Sequence, residues 1–356
     1  MSDFSLIDSN FKVETQIDKE DIRFYDVNQK PFEIYGVYYD NGKFRRLPEE
    51  VAKSVSSGVH GEHVHCAGGR LRFKTNSPYI AINAKMPYVA KMPHFALTGS
   101  TGFDMYISDE GEKFVKTFVP PFEISNGYES VAEFGNFNLK EITIHFPLYG
   151  VVSEMYIGLK EGSVIEAPQS YKDIKPIVYY GSSITQGGCA SRPGNSYENI
   201  ITRRLNVDHI NLGFSGNAKG EDEMAEYISK LDMSVFVYDY DHNAPSVEHL
   251  KNTHERMFRI IRNANPDLPV IFMSRPKFYL SDEEKQRLEV IKETYNNAKE
   301  NGDLNVYLID GPTLMELAKD EGTVDGTHPT DFGFYSMAKA LGDLLVEILG
   351  YKNSKE

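Results

Sequence analysis

The 356-residue sequence contains no tryptophan and only two cysteines, Cys66 and Cys189. Two distant cysteines do not form the pattern of a disulfide-stabilised secreted domain, so the chain is compatible with a reducing compartment. No apolar run approaches the roughly 18 residues of a membrane-spanning helix. Residues 1–5 show no signal peptide, although an exported chain that begins at its mature N-terminus would look the same. These absences predict a cytoplasmic protein without a membrane partner.

Positive charge is also scarce. The chain has 38 Lys and Arg against 52 Asp and Glu, which gives a net charge of −14. Such a surface repels phosphate backbones and therefore argues against a nucleic-acid partner. The apolar content of 40% and the charged content of 25% are ordinary for a globular protein. The length allows two separate hydrophobic cores.

Residues 1–168 have the pattern of β structure. Short runs rich in Ile, Val, Phe and Tyr alternate in part with polar residues, and turn signals such as Asp40-Asn41-Gly42 separate them. The predicted strands cover residues 33–39, 71–75, 80–85, 103–108, 113–119 and 141–146, with a brief helix at 49–56. Many short strands with regular turns predict an antiparallel, jelly-roll-like β-sandwich.

Residues 176–356 have a different pattern, in which buried strands alternate with helices. Predicted strands lie at 177–180, 209–212, 233–239, 270–274 and 306–309, and predicted helices at 197–205, 222–231, 246–264, 282–300 and 331–349. This alternation predicts a second domain with a parallel sheet covered on both faces. Ligands of such sheets bind at the carboxyl ends of the strands.

A candidate serine nucleophile follows the first predicted parallel strand. Gly181 breaks the apolar run, and Ser183 comes directly after the strand end. Near the other end of the chain, Asp325 precedes His328 by three residues on a loop before the last helix. A serine hydroxyl becomes nucleophilic when an imidazole takes its proton and a carboxylate orients that imidazole. The order of these residues predicts a serine hydrolase with Ser183, His328 and Asp325 as the catalytic triad.

Two further strand-following loops carry candidate oxyanion donors. Gly216 follows the second parallel strand, where a missing Cβ lets a backbone N–H approach a developing oxyanion. Asn243 follows the third, and its amide is a second candidate donor, with turn formation as the competing role. Together with the backbone N–H of Ser183, these groups form the predicted oxyanion hole.

These four segments, in this order, resemble the blocks of the SGNH (GDSL-type) hydrolase superfamily. The resemblance covers about residues 176–349 and implies a three-layer α/β sandwich with a flavodoxin-like parallel sheet. It departs from the family pattern at Ser182, where the family has Asp, and in Asp241-His242-Asn243-Ala244, where the family usually has Gly-x-Asn-Asp. In the first half, Gly102-Phe103-Asp104-Met105-Tyr106 is similar to the Gly-x-Asp-Leu-Tyr signature of β-sandwich domains that precede such hydrolases.

Several other residues are candidates with open interpretations. The segment His60-Gly61-Glu62-His63-Val64-His65-Cys66 has the residue types of a zinc site. It could equally be a loop with incidental histidines or a wall of the active site. Arg192, Arg275 and His65 are candidate substrate-binding residues, with surface ion pairs as the ordinary alternative for the two arginines. Cys189 lacks an adjacent base and is therefore interpreted as a pocket-lining residue.

The resemblance and the polar, tyrosine-rich loops predict an esterase that removes short acyl groups, most simply acetyl, from a small-molecule or oligosaccharide ester. The expected reaction proceeds through an acyl-enzyme and requires no metal ion or organic cofactor. Two alternatives stay open: a lysophospholipase or thioesterase, and a carbohydrate-binding protein without catalytic activity.

Overall fold

The structure is a computed structural model that describes residues 13–108 and 112–351. Residues 1–5, on which the expectation of a missing signal peptide rests, lie outside the described residues. None of the helices within the described ranges combines the length and the apolar content that a membrane span requires.

The first half of the chain consists mainly of short strands. They are β1 (Ile22–Asp26), β2 (Glu33–Tyr35), β3 (Tyr38–Asp40), β4 (Lys43–Arg45), β5 (Arg70–Thr75), β6 (Tyr79–Lys85), β7 (Phe103–Ser108), β8 (Glu112–Phe118), β9 (Gly127–Glu133), β10 (Lys140–His145), β11 (Glu154–Lys160) and β12 (Ile165–Glu166). Three short helices interrupt them: α1 (Glu49–Val55), α2 (Ser57–Glu62) and α3 (Leu97–Ser100).

These strands form two main antiparallel sheets. One sheet has the order β1-β11-β6-β9, and the other has the order β12-β5-β10-β7-β8 with β2 beside β5. Alternate apolar residues of both sheets share one buried cluster, for example Ile82 and Ile157 from the first sheet and Phe73 and Ile144 from the second. The predicted antiparallel sandwich is therefore confirmed.

The predicted strands of this half need correction: β1, β4, β9, β11 and β12 were not predicted, and one predicted strand is divided in two. The run 33–39 was predicted as one strand, but it divides into β2 and β3 because Gly36 between them has φ +74°. A side chain at this position would also be blocked, since a Cβ would lie 2.1 Å from the carbonyl oxygen of Gly68. The predicted helix at 49–56 corresponds to α1, whereas α2 and α3 were not predicted from the sequence.

The second half of the chain alternates strands and helices. Its strands are β13 (Ile177–Gly181), β14 (His209–Gly213), β15 (Val235–Asp239), β16 (Val270–Met273) and β17 (Val306–Ile309). Its helices are α4 (Tyr197–Leu205), α5 (Asp222–Ile228), α6 (Val247–Ala264), α7 (Asp282–Glu300), α8 (Gly311–Leu314) and α9 (Asp331–Ile348).

All neighbouring strands of this sheet are parallel, in the order β14-β13-β15-β16-β17. One buried cluster on the sheet includes residues of α5, α6 and α7, and another includes residues of α4, α8 and α9. The predicted three-layer α/β fold is confirmed. Because β13 lies between β14 and β15, the loops after these three strands converge at one edge of the sheet.

The two halves of the chain are in close contact. Leu47, Ala52 and Val59, in and around α1 and α2, belong to the buried cluster that covers one face of the parallel sheet. The first half therefore contributes part of the core of the second half. Residues 1–168 and 176–356 as separate domains stay a prediction from the sequence.

Candidate active site

Ser183, His328 and Asp325 meet at the carboxyl edge of the parallel sheet. Ser183 lies in the turn directly after β13, and the other two lie in the loop before α9. The Oγ atom of Ser183 is 3.0 Å from Nε2 of His328, and Nδ1 of His328 is 2.8 Å from Oδ2 of Asp325. The three side chains thus form a continuous chain of hydrogen bonds, which is the geometry of a serine nucleophile with its base and orienting acid.

The loop that carries Asp325 keeps its carboxylate ionised. Partial burial raises the pKa of Asp325, but the backbone N–H and imidazole of His328 and the backbone N–H of Thr327 outweigh this effect and lower the pKa to about 2. The Oδ1 atom accepts the N–H groups of Thr327 at 2.9 Å and His328 at 2.8 Å. Oδ2 is thereby directed at Nδ1, so that Nε2 faces Ser183 as a proton acceptor.

The three predicted oxyanion donors lie on neighbouring loops after β13, β14 and β15. Gly216 has φ +71°, a conformation that glycine adopts without strain, and an added Cβ would meet nothing within 4 Å. The Asn243 amide donates one N–H to the carbonyl oxygen of Phe214 at 3.1 Å, which leaves its second N–H for another acceptor. Within the described residues, the backbone N–H groups of Ser183 and Gly216 donate to no protein group.

The structure gives Ser182, which replaces the family's Asp, a local role. Its Oγ accepts the backbone N–H of Ile184 at 3.1 Å and stabilises the turn. The carboxylate of Asp239, from the end of β15, accepts the Thr185 hydroxyl at 2.8 Å, and it also accepts the backbone N–H of Ser182. Burial raises the pKa of Asp239 to about 7. A carboxyl group from the neighbouring strand therefore supports the nucleophile loop.

The first half of the chain also reaches the site through Tyr149 and Arg46, neither of which was identified from the sequence. The Tyr149 hydroxyl donates to the carbonyl oxygen of Ser183 at 3.3 Å. The buried Arg46 guanidinium donates to the carbonyl oxygens of Gly213 at 2.6 Å and His65 at 2.8 Å, and it lies 4.9 Å from the centre of the Phe214 ring. Both side chains hold loops that carry predicted catalytic groups.

The Gly-x-Asp-x-Tyr motif makes a second connection. Asp104 is fully buried on β7 and accepts Nδ1 of His145 at 2.8 Å, Nη1 of Arg192 at 2.9 Å and the backbone N–H of Gly194 at 3.0 Å. Burial raises the pKa of Asp104, but the partners His145 and Arg192 outweigh it and lower the pKa. The hydroxyl of Tyr106 also contacts Arg192. The motif thus anchors the segment between the nucleophile loop and α4.

The three candidate substrate-binding residues all have protein partners. Arg192 is paired with Asp104, as described above. Arg275 forms an ion pair with Glu284 at 2.8 Å and donates to the hydroxyl of Thr327 at 2.6 Å. His65 is hydrogen-bonded to Gln186 at 3.0 Å, and burial and Arg46 lower its pKa to about 3. These contacts favour support of the site loops, and substrate binding by the three residues stays a prediction.

The histidine-rich segment 60–66 does not assemble as a metal site. His63 directs Nδ1 at the carbonyl oxygen of His60, whereas His65 is turned towards Gln186 and stacks on Tyr88 with ring centres 5.6 Å apart. The thiol of Cys66 contacts the carbonyl oxygen of Val64. Of the three interpretations, the wall of the active site fits this placement of His65.

Comparison with known families agrees with this arrangement. Residues 174–346 match the GDSL-like lipase/acylhydrolase family, and residues 22–165 match the family described as the N-terminus of esterases of the SGNH-hydrolase type, GxDLY. The chain therefore belongs to the SGNH (GDSL-type) hydrolases, in the two-domain form with an N-terminal GxDLY domain, and it is an ester-bond hydrolase. Among curated proteins, none matches the sequence.

Solved structures share the architecture over most of the chain. A protein from Bacteroides ovatus, described as a GDSL-like lipase, is 28% identical with a TM-score of 0.84, and the alignment covers 93% of this chain and 99% of that chain. The salicylyl-acyltransferase SsfX3 of a tetracycline biosynthetic pathway is 18% identical with a TM-score of 0.74, covering 95% and 100%. An acetyl xylan esterase from Butyrivibrio proteoclasticus is 13% identical with a TM-score of 0.62, covering 93% and 100%.

Proposed function

We propose that the protein is a serine esterase that removes short acyl groups, most simply acetyl, from a carbohydrate. The observation that carries this proposal is the unbroken hydrogen-bond chain from Oγ of Ser183 through His328 to Asp325, with separations of 3.0 Å and 2.8 Å. A non-catalytic carbohydrate-binding protein would have no need for this arrangement.

In the proposed reaction, Ser183 Oγ attacks the ester carbonyl while Nε2 of His328 takes the hydroxyl proton. His328 then gives this proton to the leaving alcohol, and an acyl-enzyme remains on Ser183. Water repeats the attack with His328 as base and releases the acid. Asp325 keeps Nδ1 protonated and stabilises the imidazolium. The backbone N–H groups of Ser183 and Gly216 and the Asn243 amide stabilise the oxyanion, each such donor being worth about 10²–10³ in rate.

Tight packing beside Ser183 supports a short acyl group. A Cβ added to Gly188 would lie 3.0 Å from both the Ser183 carbonyl oxygen and the Tyr149 hydroxyl, and 3.2 Å from the Phe95 ring. Gly188 therefore packs closely against the backbone of Ser183 and the side chains of Tyr149 and Phe95. A lysophospholipase or thioesterase would need room for a long chain, so this alternative is less well supported.

An exposed tyrosine near the site supports a polar alcohol group in the substrate. Tyr88 is 51% exposed and stacks on the neutral ring of His65. Tyrosine presents an apolar face and a hydroxyl, which suits contact with a sugar ring. Arg275 and Thr327 add polar groups beside the loop of His328.

The test compares hydrolysis of p-nitrophenyl acetate and p-nitrophenyl octanoate by the wild type, Ser183→Ala and the control Ser54→Ala, whose hydroxyl lies on the exposed face of α1. The wild type and the control should prefer the acetate, and Ser183→Ala should lose about 10⁴-fold or more in kcat. Preference for the octanoate would overturn the short-acyl assignment, and undiminished acetate hydrolysis by Ser183→Ala would overturn the mechanism. Acetylated oligosaccharides can then be tested as substrates, with the deacetylated oligosaccharides as the expected products.

A further inference from the structure

Three potential metal ligands from distant parts of the sequence meet at the edge of the active site. They are His94 from the first half of the chain, Cys189 from the loop after Ser183, and His328. Their ligand atoms all lie within 4.8 Å of one another. Thiolate sulfur and imidazole nitrogen are the ligands that zinc prefers. We propose that His94, Cys189 and His328 bind one Zn²⁺ ion and that this ion reversibly switches the hydrolase off.

The orientation of His328 is suitable both for metal binding and for general-base catalysis. Asp325 accepts Nδ1 at 2.8 Å, so Nε2 carries the lone pair and lies 3.0 Å from Oγ of Ser183. A carboxylate behind a ligating histidine is a common support in zinc sites, because it fixes the ring and increases the basicity of the other nitrogen. A metal ion on Nε2 would occupy the lone pair that must accept the Ser183 proton. Metal binding and general-base catalysis therefore exclude each other at this atom.

Cys189 has a left-handed backbone conformation. Its φ is +72°, a region in which a non-glycine residue is strained and which occurs preferentially at functional sites and ligand clamps. The loop has glycine at the preceding positions, Gly187 and Gly188, but a cysteine at this position of positive φ. The Sγ atom lies 3.5 Å from the carbonyl oxygen of His94, so the thiol is already next to the second ligand residue.

His94, the remaining ligand, can complete the metal site by a small movement of its side chain. Ligand atoms of a tetrahedral zinc ion with these bond lengths lie about 3.3–3.7 Å apart, so the cluster must contract by about 1 Å. The His94 side chain is exposed, and its ring centre is 5.4 Å from that of His328. Rotation of an exposed side chain is inexpensive, and the fourth position is available to water or to Ser183.

Binding is expected to be reversible, because the thiol must first lose its proton. The Cys189 thiol donates to the carbonyl oxygen of His94 at 3.5 Å, so the metal-free sulfur carries a proton. When Zn²⁺ binds, the sulfur–hydrogen bond breaks, the sulfur–zinc bond forms, and the proton passes to solvent. This cost lowers the affinity compared with a permanent structural zinc site. The Asp325 carboxylate and the net charge of −14 attract the cation.

The inhibitory effect rests on the proposed function, whereas metal binding does not, so the experiment measures both. Co²⁺ serves as a spectroscopic probe, and its thiolate charge-transfer absorption is recorded for wild type, Cys189→Ser, His94→Ala and Ser183→Ala. The matched control is His60→Ala, which removes a histidine outside the cluster whose side chain is 41% exposed. The band should appear in the wild type, the control and Ser183→Ala, it should be absent in Cys189→Ser, and His94→Ala should need roughly 10–100-fold more Co²⁺.

Activity is measured in parallel as the ratio of p-nitrophenyl acetate hydrolysis with and without Zn²⁺ for each protein. Zn²⁺ should abolish most wild-type and His60→Ala activity, a chelator should restore it, and the inhibitory concentration should rise in Cys189→Ser and His94→Ala. Absence of the thiolate band, or a band without inhibition, would overturn the proposal. If the band appears but Ser183→Ala hydrolyses the ester as fast as the wild type, the catalytic mechanism fails and the metal site stands.

Discussion

The two halves of the chain contribute to the site in different ways. The α/β half provides the groups that are proposed to react, and each of them lies on a loop directly after a strand or before a helix. The β-sandwich half provides buried polar side chains that hold those loops, namely Arg46, Asp104 and Tyr149. The side chains of His328 and Asp325 are partly exposed and Ser183 is 6% exposed, whereas each of the three supporting residues is at most 3% exposed. The comparison indicates that the sandwich is a structural part of the active site.

We therefore expect the two halves to respond differently to mutation. A change in the triad removes a reacting group and leaves the buried supporting contacts in place. Removal of a supporting group leaves buried donors or acceptors without partners, which costs stability before it costs chemistry. Substitutions of the two kinds therefore test whether the two halves have these different roles.

Among the substitutions that compare the two halves, the largest effect is expected for Asp325→Asn. The asparagine amide would donate to Nδ1 of His328, so the proton would move to Nε2, which could no longer accept the Ser183 proton. We expect kcat for p-nitrophenyl acetate to fall by roughly 10³–10⁴. The control Asp320→Asn removes an exposed carboxylate of a neighbouring segment and should leave kcat unchanged. A similar kcat for both variants would show that Asp325 has no catalytic role.

Arg46→Met tests the supporting role of the sandwich. The substitution leaves the carbonyl oxygens of Gly213 and His65 without their donor. We expect the free energy of unfolding to fall by about 3–5 kcal/mol, as when one partner of a buried charged network is removed. Chemical denaturation measures this change. The control Arg259→Met, on an arginine whose side chain is 65% exposed, should stay within about 0.5 kcal/mol of the wild type. Equal effects of both substitutions would contradict the supporting role.

Glu62 provides a smaller, pH-dependent test of the same interface. Burial raises its pKa from 4.5 to about 7, although Arg46 opposes this shift. The Arg46 guanidinium bonds the backbone carbonyl of Glu62 at 3.0 Å, and Oε2 of the carboxylate has no hydrogen-bond partner among the described residues.

The folded state therefore binds more protons than the unfolded state between pH 4.5 and 7. The contribution of Glu62 to stability is present below this window and is lost as the pH rises through it. Glu62→Gln cannot ionise, so its stability should decline less than that of the wild type across the window. Denaturation curves at several pH values measure this difference. The control Glu50→Gln, whose side chain is 86% exposed, should follow the wild type, and an unchanged pH profile in Glu62→Gln would contradict the shift.

Sequence patterns predicted the α/β half well for a physical reason. Ser183, Gly216 and Asn243 follow buried strands of a parallel sheet, and the sheet itself brings strand ends together. The local Asp325–His328 spacing predicted the pair that the structure shows in contact. The order of the main strands and helices in this half could also be predicted from the sequence, because apolar periodicity is a local property of the chain.

The supporting contacts could not be predicted in this way. Arg46 bonds a carbonyl 167 positions further along the chain, and Asp104 bonds an arginine 88 positions away. Pairs of residues so far apart in the sequence leave no local pattern from which they could be predicted. Arg192 was therefore interpreted as a substrate-binding candidate, and Tyr149 and His94 were not identified. The sequence signal that could have pointed to Asp104 was the Gly-x-Asp-x-Tyr motif, whose partner only the folded chain reveals.

Direct detection of the acyl-enzyme tests the central claim that Ser183 is the nucleophile. The protein is mixed with excess p-nitrophenyl acetate, quenched with acid during turnover, digested and analysed by mass spectrometry. We predict one added acetyl group on the peptide that contains Ser183, and none on this peptide in His328→Ala. Acetylation of another residue during turnover, or turnover without any acetylated Ser183, would contradict the account.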